Sequence, residues 1–428
     1  MNCVKINPCC LKGDIKIPPS KSLGHRAIIC AALSEEESTI ENISYSKDIK
    51  ATCIGMSKLG ALIIEDAKDN STLKIKKQKL VSKEKVYIDC SESGSTVRFL
   101  IPISLIEERN VVFDGQGKLS YRPLDSYFNI FDEKEIAYSH PEGKVLPLQI
   151  KGRLKAGMFN LPGNISSQFI SGLMFSLPFL EGDSIINITT NLESVGYVDM
   201  TIDMLKKFGI EIENKAYKSF FIKGNQKCKG TKYKVEGDFS QAAFWLSAGI
   251  LNGNINCKDL NISSLQGDKV ILDILKKMGG AIDEKSFSSK KSHTHGIVID
   301  ASQCPDLVPI LSVVAALSEG TTKIVNAARL RIKESDRLKA MATELNKLGA
   351  EVVELEDGLL IEGKEKLKGG EVESWNDHRI AMALGIAALR CEESVTINGS
   401  ECVSKSYPQF WSDLKQLGGD VHEWSLGE

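Results

Sequence analysis

Six stretches of this chain are apolar on nearly every helical face once past a polar first turn: KSLGHRAIICAAL (21–33), STVRFLIPISLI (95–106), SQFISGLMFSLPF (167–179), SQAAFWLSAGIL (240–251), PDLVPILSVVAAL (305–317) and DHRIAMALGIAAL (377–389). That pattern predicts helices buried on all sides. A second signature recurs between them: MSKLGALI (56–63), LKKFGIEI (205–212), LKKMGGAI (275–282), LNKLGAEV (345–352) and LKQLGGDV (414–421). Each reads as the end of an amphipathic helix, a Gly just past it, and the start of a strand. The glycines, Gly60, Gly209, Gly279, Gly349 and Gly418, are spaced by 149, 70, 70 and 69 residues. The first gap is twice the others, so a copy without its Gly is expected in NIFDEKEIAY (129–138). Six units of about seventy residues therefore fill the chain. Each combines short strands, such as VYIDC (86–90), with a central buried helix and an outer helix carrying Lys and Glu on one face. Six units divide into three and three, giving two similar α/β domains; solenoid repeats are usually about half this length.

The first turns of these helices carry an unusual polar set. Lys21, Ser22 and Arg26 open the first buried helix, Gly94 and Arg98 the second, and Ser166, Ser167 and Gln168 the third. Arg122 starts an outer helix, Asp306 follows Pro305, and Lys333, Glu334 and Arg337 lie in the segment RLRIKESDR. Asn376-Asp377-His378-Arg379 opens the last buried helix, and Lys405 precedes the last outer one. Ser, Asp and Asn at these places are also ordinary helix caps. Cations are different: Lys21, Arg337 and Arg379 oppose the helix dipole, and a local rule broken at equivalent places in several units points to a shared functional surface. Helix N-termini gathered into one cleft would bind one or two small polyanions, with Asp306 and Glu334 as carboxylates available for acid–base work.

Composition narrows the partners. Lys+Arg number 54 and Asp+Glu 56, for a formal net charge of −2, which argues against nucleic acid or an anionic membrane as the partner. The 11 cysteines are irregularly spaced without a C-x-x-C pair, as for thiols in a reducing compartment. MNCVKINPCC has no basic segment followed by an apolar run, so no secretory signal is expected, and no run of about 20 apolar residues could span a membrane. A cytoplasmic monomer is the expectation. Lys21-Ser22 follows Pro-Pro-Ser, not the glycines of a P-loop, and Gly115-Gln116-Gly117 has no third Gly, so it reads as a turn. His293 and His295 read as surface residues, and no carboxylate cage for a metal is apparent.

PPSKSLGHR (18–26), ESGSTVRFL (92–100), LPGNISSQF (161–169), RIKESDRL (331–338), NDHRIAMA (376–383) and CVSKSYPQF (402–410) resemble, in order, the successive signatures of the enolpyruvyl transferases. The resemblance implies a two-domain inside-out α/β barrel of six βαβαββ repeats, residues 20–237 forming one domain and 1–19 with 238–428 the other. It implies no metal and no organic cofactor. Lys21-Ser22 and Ser166-Ser167-Gln168 point to the shikimate-pathway branch. The branch acting on UDP-N-acetylglucosamine usually has Lys-Asn at the first place and a Cys in the loop here written GQGKLSY (115–121). A non-catalytic polyanion-binding protein is the other alternative, though binding alone would not need both Asp306 and Glu334.

The resemblance assigns shikimate 3-phosphate to Lys21, Ser22, Arg26, Ser166, Ser167, Gln168, Ser194, Tyr197, Asp306 and Lys333. It assigns phosphoenolpyruvate to Lys21, Gly94, Arg122, Gln168, Arg337, Arg379 and Lys405, with Lys21, Asp306 and Glu334 as the catalytic set. Glu92-Ser93 stands where many members have Asn-Ala, and Arg329 where many have Asn.

Overall fold

The computed structural model describes residues 2–67, 69–78 and 85–425. Among them the strands form six four-stranded sheets with one recurring pattern: a parallel pair at one edge, then two antiparallel pairings. The common order within a repeat is strand, buried helix, strand, outer helix, strand, strand. The fifth shows it plainly, with Val298–Asp300, Val308–Ala316, Thr321–Val325, Arg337–Lys347, Glu351–Leu355 and Gly358–Glu362. The repeats are the predicted βαβαββ units.

Three repeats borrow a strand from elsewhere in the chain. Lys232–Lys234 pairs parallel to Ser38–Glu41 and supplies the opening strand of the first repeat. Leu11–Lys16 pairs parallel to Gly253–Lys258 and opens the fourth. Asn2–Asn7 lies between Val395–Asn398 and Asp420–Ser425 and completes the sixth. The chain thus forms two compact units, Pro19–Glu236 and Met1–Pro18 with Gly237–Glu428, each with its own hydrophobic core.

The core of each unit is built around its three buried helices. Lys21–Leu33, Gly94–Ser104 and Ser167–Ser176 occupy one; Phe239–Asn252, Val308–Ala316 and His378–Ala387 occupy the other. All the residues of Val308–Ala316 and His378–Ala387 are buried, as helices apolar on every face require. Side chains close most of their first turns. Ser20, Ser93, Ser166, Asp238 and Asp377 each accept a backbone N–H of the following turn, so these polar residues satisfy donors that the core could not.

The repeat glycines end the outer helices in left-handed backbone, from Gly209 at φ +82° to Gly60 at φ +103°. In the copy that lacks its Gly, helix Asp125–Glu133 is followed by Glu135 at φ +57°. The turn is therefore kept without the residue that makes it easy.

Candidate active site

In the Pro19–Glu236 unit, Arg26 is held through neutral oxygens, whereas Lys21 pairs with a carboxylate. Arg26 is 2% exposed; its Nε donates to Thr201 Oγ1 (2.8 Å), Nη1 to the Ser22 carbonyl (2.7 Å) and Nη2 to the Tyr197 carbonyl (2.9 Å). Its guanidinium also stacks over the rings of Phe99 and Tyr197, and burial lowers it to about 10. These bonds use three of the five N–H donors of the guanidinium, leaving two directions for a ligand. Thr201 also bonds Ser171, linking helix Val195–Lys207 to helix Ser167–Ser176 behind Arg26.

Arg98 Nη1 donates to Gln168 Oε1 (2.8 Å), and Gln168 Nε2 donates to Ser95 Oγ (2.9 Å). The second and third buried helices are thereby pinned together at their N-terminal ends, with Ser166 capping the third. Lys21 forms an ion pair with Asp48 (2.7 Å). Ser194, the residue before helix Val195–Lys207, is left-handed at φ +55°, and the same turn presents the Tyr197 carbonyl to Arg26. At Gly94, an added Cβ would lie 2.6 Å from Arg122 Nη1, so the glycine makes room for the guanidinium beside the helix start. Lys21, Ser22, Arg26, Gly94, Arg122, Ser166, Ser167, Gln168, Ser194 and Tyr197 all belong to this unit.

In the other unit, cations and carboxylates interlock. Arg337 is the hub: Nε donates to Asp377 Oδ2 (2.8 Å), Nη1 to Asp306 Oδ1 (2.8 Å) and Nη2 to Glu334 Oε2 (2.8 Å). Arg379 donates to Asp306 Oδ2 (3.1 Å) and to the Asp306 carbonyl (3.2 Å), and Lys333 lies 3.5 Å from Asp306 Oδ1. Lys405 donates to the Asn376 carbonyl (2.6 Å). The structure thus brings Asp306, Lys333, Glu334, Arg337 and Arg379 into one network, with Lys405 held to the turn that carries Asp377.

Burial pushes the Asp306 carboxyl upward, but Arg379, Lys333 and Arg337 outweigh it and hold the group well below the usual carboxylate range. Burial lowers the Lys333 ammonium, against the pull of Asp306, to about 8. Burial would lower Arg337, but Asp377, Glu334 and Asp306 raise it, so it stays charged. Asp306 and Glu334 keep partly exposed side chains, whereas Arg337 and Asp377 are sealed. The arrangement offers sealed charges as scaffold and accessible carboxylates beside them.

Sequence reasoning missed several partners. Asp48 and Thr201 sit inside outer helices with nothing local to mark them. Asp377 was legible as a cap, and caps Arg379 N (3.0 Å), but its grip on Arg337 links residues 40 positions apart. Arg331 faces away from the network and pairs with Asp336 and Glu354, while Arg329 donates to the Ser302 carbonyl. Gly117 begins a 3-10 turn at φ +58°, as expected of GQG. His293 and His295 are exposed. The eleven cysteines are free thiols. Among the described residues no group of three or more His, Cys, Asp or Glu could hold a metal, and no helix is long and apolar enough to cross a membrane.

With this geometry in view, similarities to known proteins are specific. The family model for EPSP synthase (3-phosphoshikimate 1-carboxyvinyltransferase) matches residues 7–414. A 3-phosphoshikimate 1-carboxyvinyltransferase of Clostridium novyi is 59% identical, and one of Clostridium kluyveri 54%, each over the whole of both chains. A solved EPSP synthase from Acinetobacter baumannii superposes with TM-score 0.82 at 27% identity, covering 99% of this chain and 100% of that one.

Proposed function

The chain belongs to the EPSP synthase family, the 3-phosphoshikimate 1-carboxyvinyltransferases, and we propose that the two clusters of helix-terminal residues described above are its substrate-binding and proton-transfer groups. The reaction joins the enolpyruvyl group of phosphoenolpyruvate to the 5-hydroxyl of shikimate 3-phosphate and releases phosphate. The observation that carries the residue assignment is the interlocked network of Arg337, Arg379, Lys333, Asp306 and Glu334: strong anion-binding groups with two reachable carboxylates among them.

Arg337, Arg379 and Lys405 are assigned to phosphoenolpyruvate, together with Lys21, Gly94, Arg122 and Gln168. Guanidinium groups suit its carboxylate and phosphate because each can give two parallel hydrogen bonds. Asp306 and Glu334 now occupy donors of Arg337, so an arriving anion exchanges places with, or shares donors with, the enzyme's own carboxylates. Shikimate 3-phosphate is assigned to Lys21, Ser22, Arg26, Ser166, Ser167, Gln168, Ser194, Tyr197, Asp306 and Lys333. The two unused N–H directions of Arg26 support that reading.

The chemistry is addition followed by elimination. The acceptor hydroxyl attacks C2 of phosphoenolpyruvate while C3 takes a proton; the tetrahedral adduct then loses the C3 proton and expels phosphate by C–O cleavage. Asp306, kept ionised by three cations, is the acceptor for the hydroxyl proton, and Glu334 exchanges the proton at C3. Positioned acid–base groups of this kind contribute on the order of 100- to 10,000-fold. The surrounding cations stabilise charge developing on the phosphate and carboxylate. The test is phosphate release from phosphoenolpyruvate with and without shikimate 3-phosphate. Release that needs UDP-N-acetylglucosamine instead, or no acceptor-dependent release at all, would overturn the reading. The free thiols favour a reducing cytoplasm as the place of action.

A further inference from the structure

Just ahead of Asp377 the backbone does something costly. Trp375 (φ +54°) and Asn376 (φ +51°) are consecutive left-handed residues, and for a bulky side chain such as Trp that conformation is a genuine outlier. Strain of this kind persists only where the surroundings over-determine it, and here they do. Glu344, 1% exposed, accepts the Trp375 indole Nε1–H at 2.7 Å, the Glu373 backbone N–H at 3.0 Å and the Lys347 ammonium at 2.8 Å. One buried carboxylate thus receives donors from both sides of a contact between helix Arg337–Lys347 and the strained turn.

The same helix is tied to the same turn a second time. Arg337, at its start, bonds Asp377; Glu344 lies seven residues on, about 10 Å along the axis at 1.5 Å per residue. Between these ties the turn sets two directions: its Asn376 carbonyl takes one of the three donors of Lys405, and Asp377 orients Arg337 while capping Arg379. Lys405 and Arg337, two of the cations assigned to phosphoenolpyruvate, are therefore aimed from the Trp375–Asn376 turn, and Asp377 beside it caps the helix start that carries Arg379, whose guanidinium Asp306 holds.

We infer that Glu344 is a positioning residue for phosphoenolpyruvate: by gripping the Trp375 indole it latches the left-handed turn whose carbonyl aims Lys405 and whose neighbouring Asp377 aims Arg337 and caps the helix start carrying Arg379. This rests on the assignment of those three cations to phosphoenolpyruvate. The indole is half-buried, walling an open groove that also exposes Lys347 on one side and packing against the core on the other.

The experiment compares wild type with Trp375→Phe, Glu344→Gln and the double variant. Trp375→Phe removes the N–H donor and also trims the ring, whereas Glu344→Gln keeps the shape and the indole but turns an amide N–H₂ toward donors, so an effect shared by both variants reports the bond. Each single change is expected to raise KM for phosphoenolpyruvate about tenfold, the scale of one charge-assisted hydrogen bond, with kcat and KM for shikimate 3-phosphate within about twofold. The double variant should be little worse than the singles, because both act on one bond. A second measurement needs no turnover: calorimetric binding of inorganic phosphate with shikimate 3-phosphate saturating should weaken in parallel. A fall in melting temperature with KM and phosphate affinity unchanged would reduce the latch to a structural tie and overturn the inference, as would equal losses for both substrates or additive effects. If wild type binds phosphate but releases none from phosphoenolpyruvate, the assigned reaction fails while phosphate affinity still decides the latch. If wild type binds no phosphate, the latch has no anion site to serve and is rejected.

Discussion

The two units repeat one architecture, yet they hold their arginines Arg26 and Arg337 in opposite ways. In Pro19–Glu236, Arg26 donates to two carbonyls and a hydroxyl, and Arg98 to an amide oxygen and a carbonyl, while Lys21 pairs with Asp48. In the other unit, Arg337 donates to three carboxylates and Arg379 to one of the same three. On the proposed assignment, the first arrangement around Arg26 serves as a preorganised anion site. The second is neutralised before any ligand arrives, and its carboxylates supply the acid–base groups that a site of bare cations would lack. On the proposed assignment, the same helix-terminal scaffold serves for holding in one unit and for proton handling in the other.

The sharpest way to break this contrast is to remove one hub from each unit. Arg337→Met leaves Asp377, Asp306 and Glu334 facing one another without their shared cation, so a loss of about 3–5 kcal/mol is expected, with activity abolished. Arg26→Met leaves only neutral acceptors and should cost about 1–3 kcal/mol. Urea denaturation of both variants measures the difference; equal losses would mean that partner charge does not separate the units.

Glu334→Gln tests the proton role. It keeps an oxygen acceptor for Arg337 but cannot exchange a proton, so kcat should fall roughly 100-fold or more while both substrates still bind. Exchange of the C3 hydrogens with deuterated water during turnover should disappear with it. A variant that binds substrate poorly yet keeps its kcat would make Glu334 a partner of Arg337 and nothing more. If Asp306→Asn instead abolishes exchange while Glu334→Gln retains it, the two roles are reversed.

Lys333 gives a gentler, pH-dependent test. Its folded value of about 8 lies below that of an unfolded lysine, about 10.4, so between these values the unfolded chain binds more protons and stability should rise with pH. Below about pH 8 the penalty for burying the charged ammonium is present in full. Lys333→Met should remove this rise, visible as a stability difference from wild type that changes between about pH 7.5 and 10. The same loss of charge should lower kcat/KM for shikimate 3-phosphate above about pH 8, and Lys333→Arg should move that limb upward.

The smallest effect expected lies at Glu135, where the repeat lacks its glycine. Glu135→Gly relieves a left-handed non-glycine residue and should stabilise the protein by about 0.5–1 kcal/mol, without changing turnover. No gain in melting temperature would mean that Glu135 makes compensating contacts.

Much of the fold was legible because the repeat writes itself in local chemistry. The predicted buried stretch 21–33 is the helix Lys21–Leu33, and 167–179 is the helix Ser167–Ser176 with its 3-10 extension Leu177–Phe179. The spacing that placed a degenerate copy near 134 met a real helix end at Glu133. The borrowed strands were not legible from pattern alone: Lys232–Lys234 is three residues long, and its place beside Ser38–Glu41 depends on pairing across about two hundred positions. In the candidate site, Arg337 and Arg379 stood out because a cation at a helix start offends its own helix dipole. Asp48, Thr201 and Glu344 gave no such signal, since each is unexceptional among its sequence neighbours.

What the sequence by itself determined is what short-range physics can encode: helix faces apolar all round, caps, glycines after helices, the seventy-residue period, and the charges that break local rules. What only the tertiary structure decided is who neutralises whom. Arg26 and Arg337 look alike in the sequence, each a cation near a helix start. One faces carbonyls and the other three carboxylates, because pairing energies depend on separations of a few ångströms between residues as much as 175 positions apart.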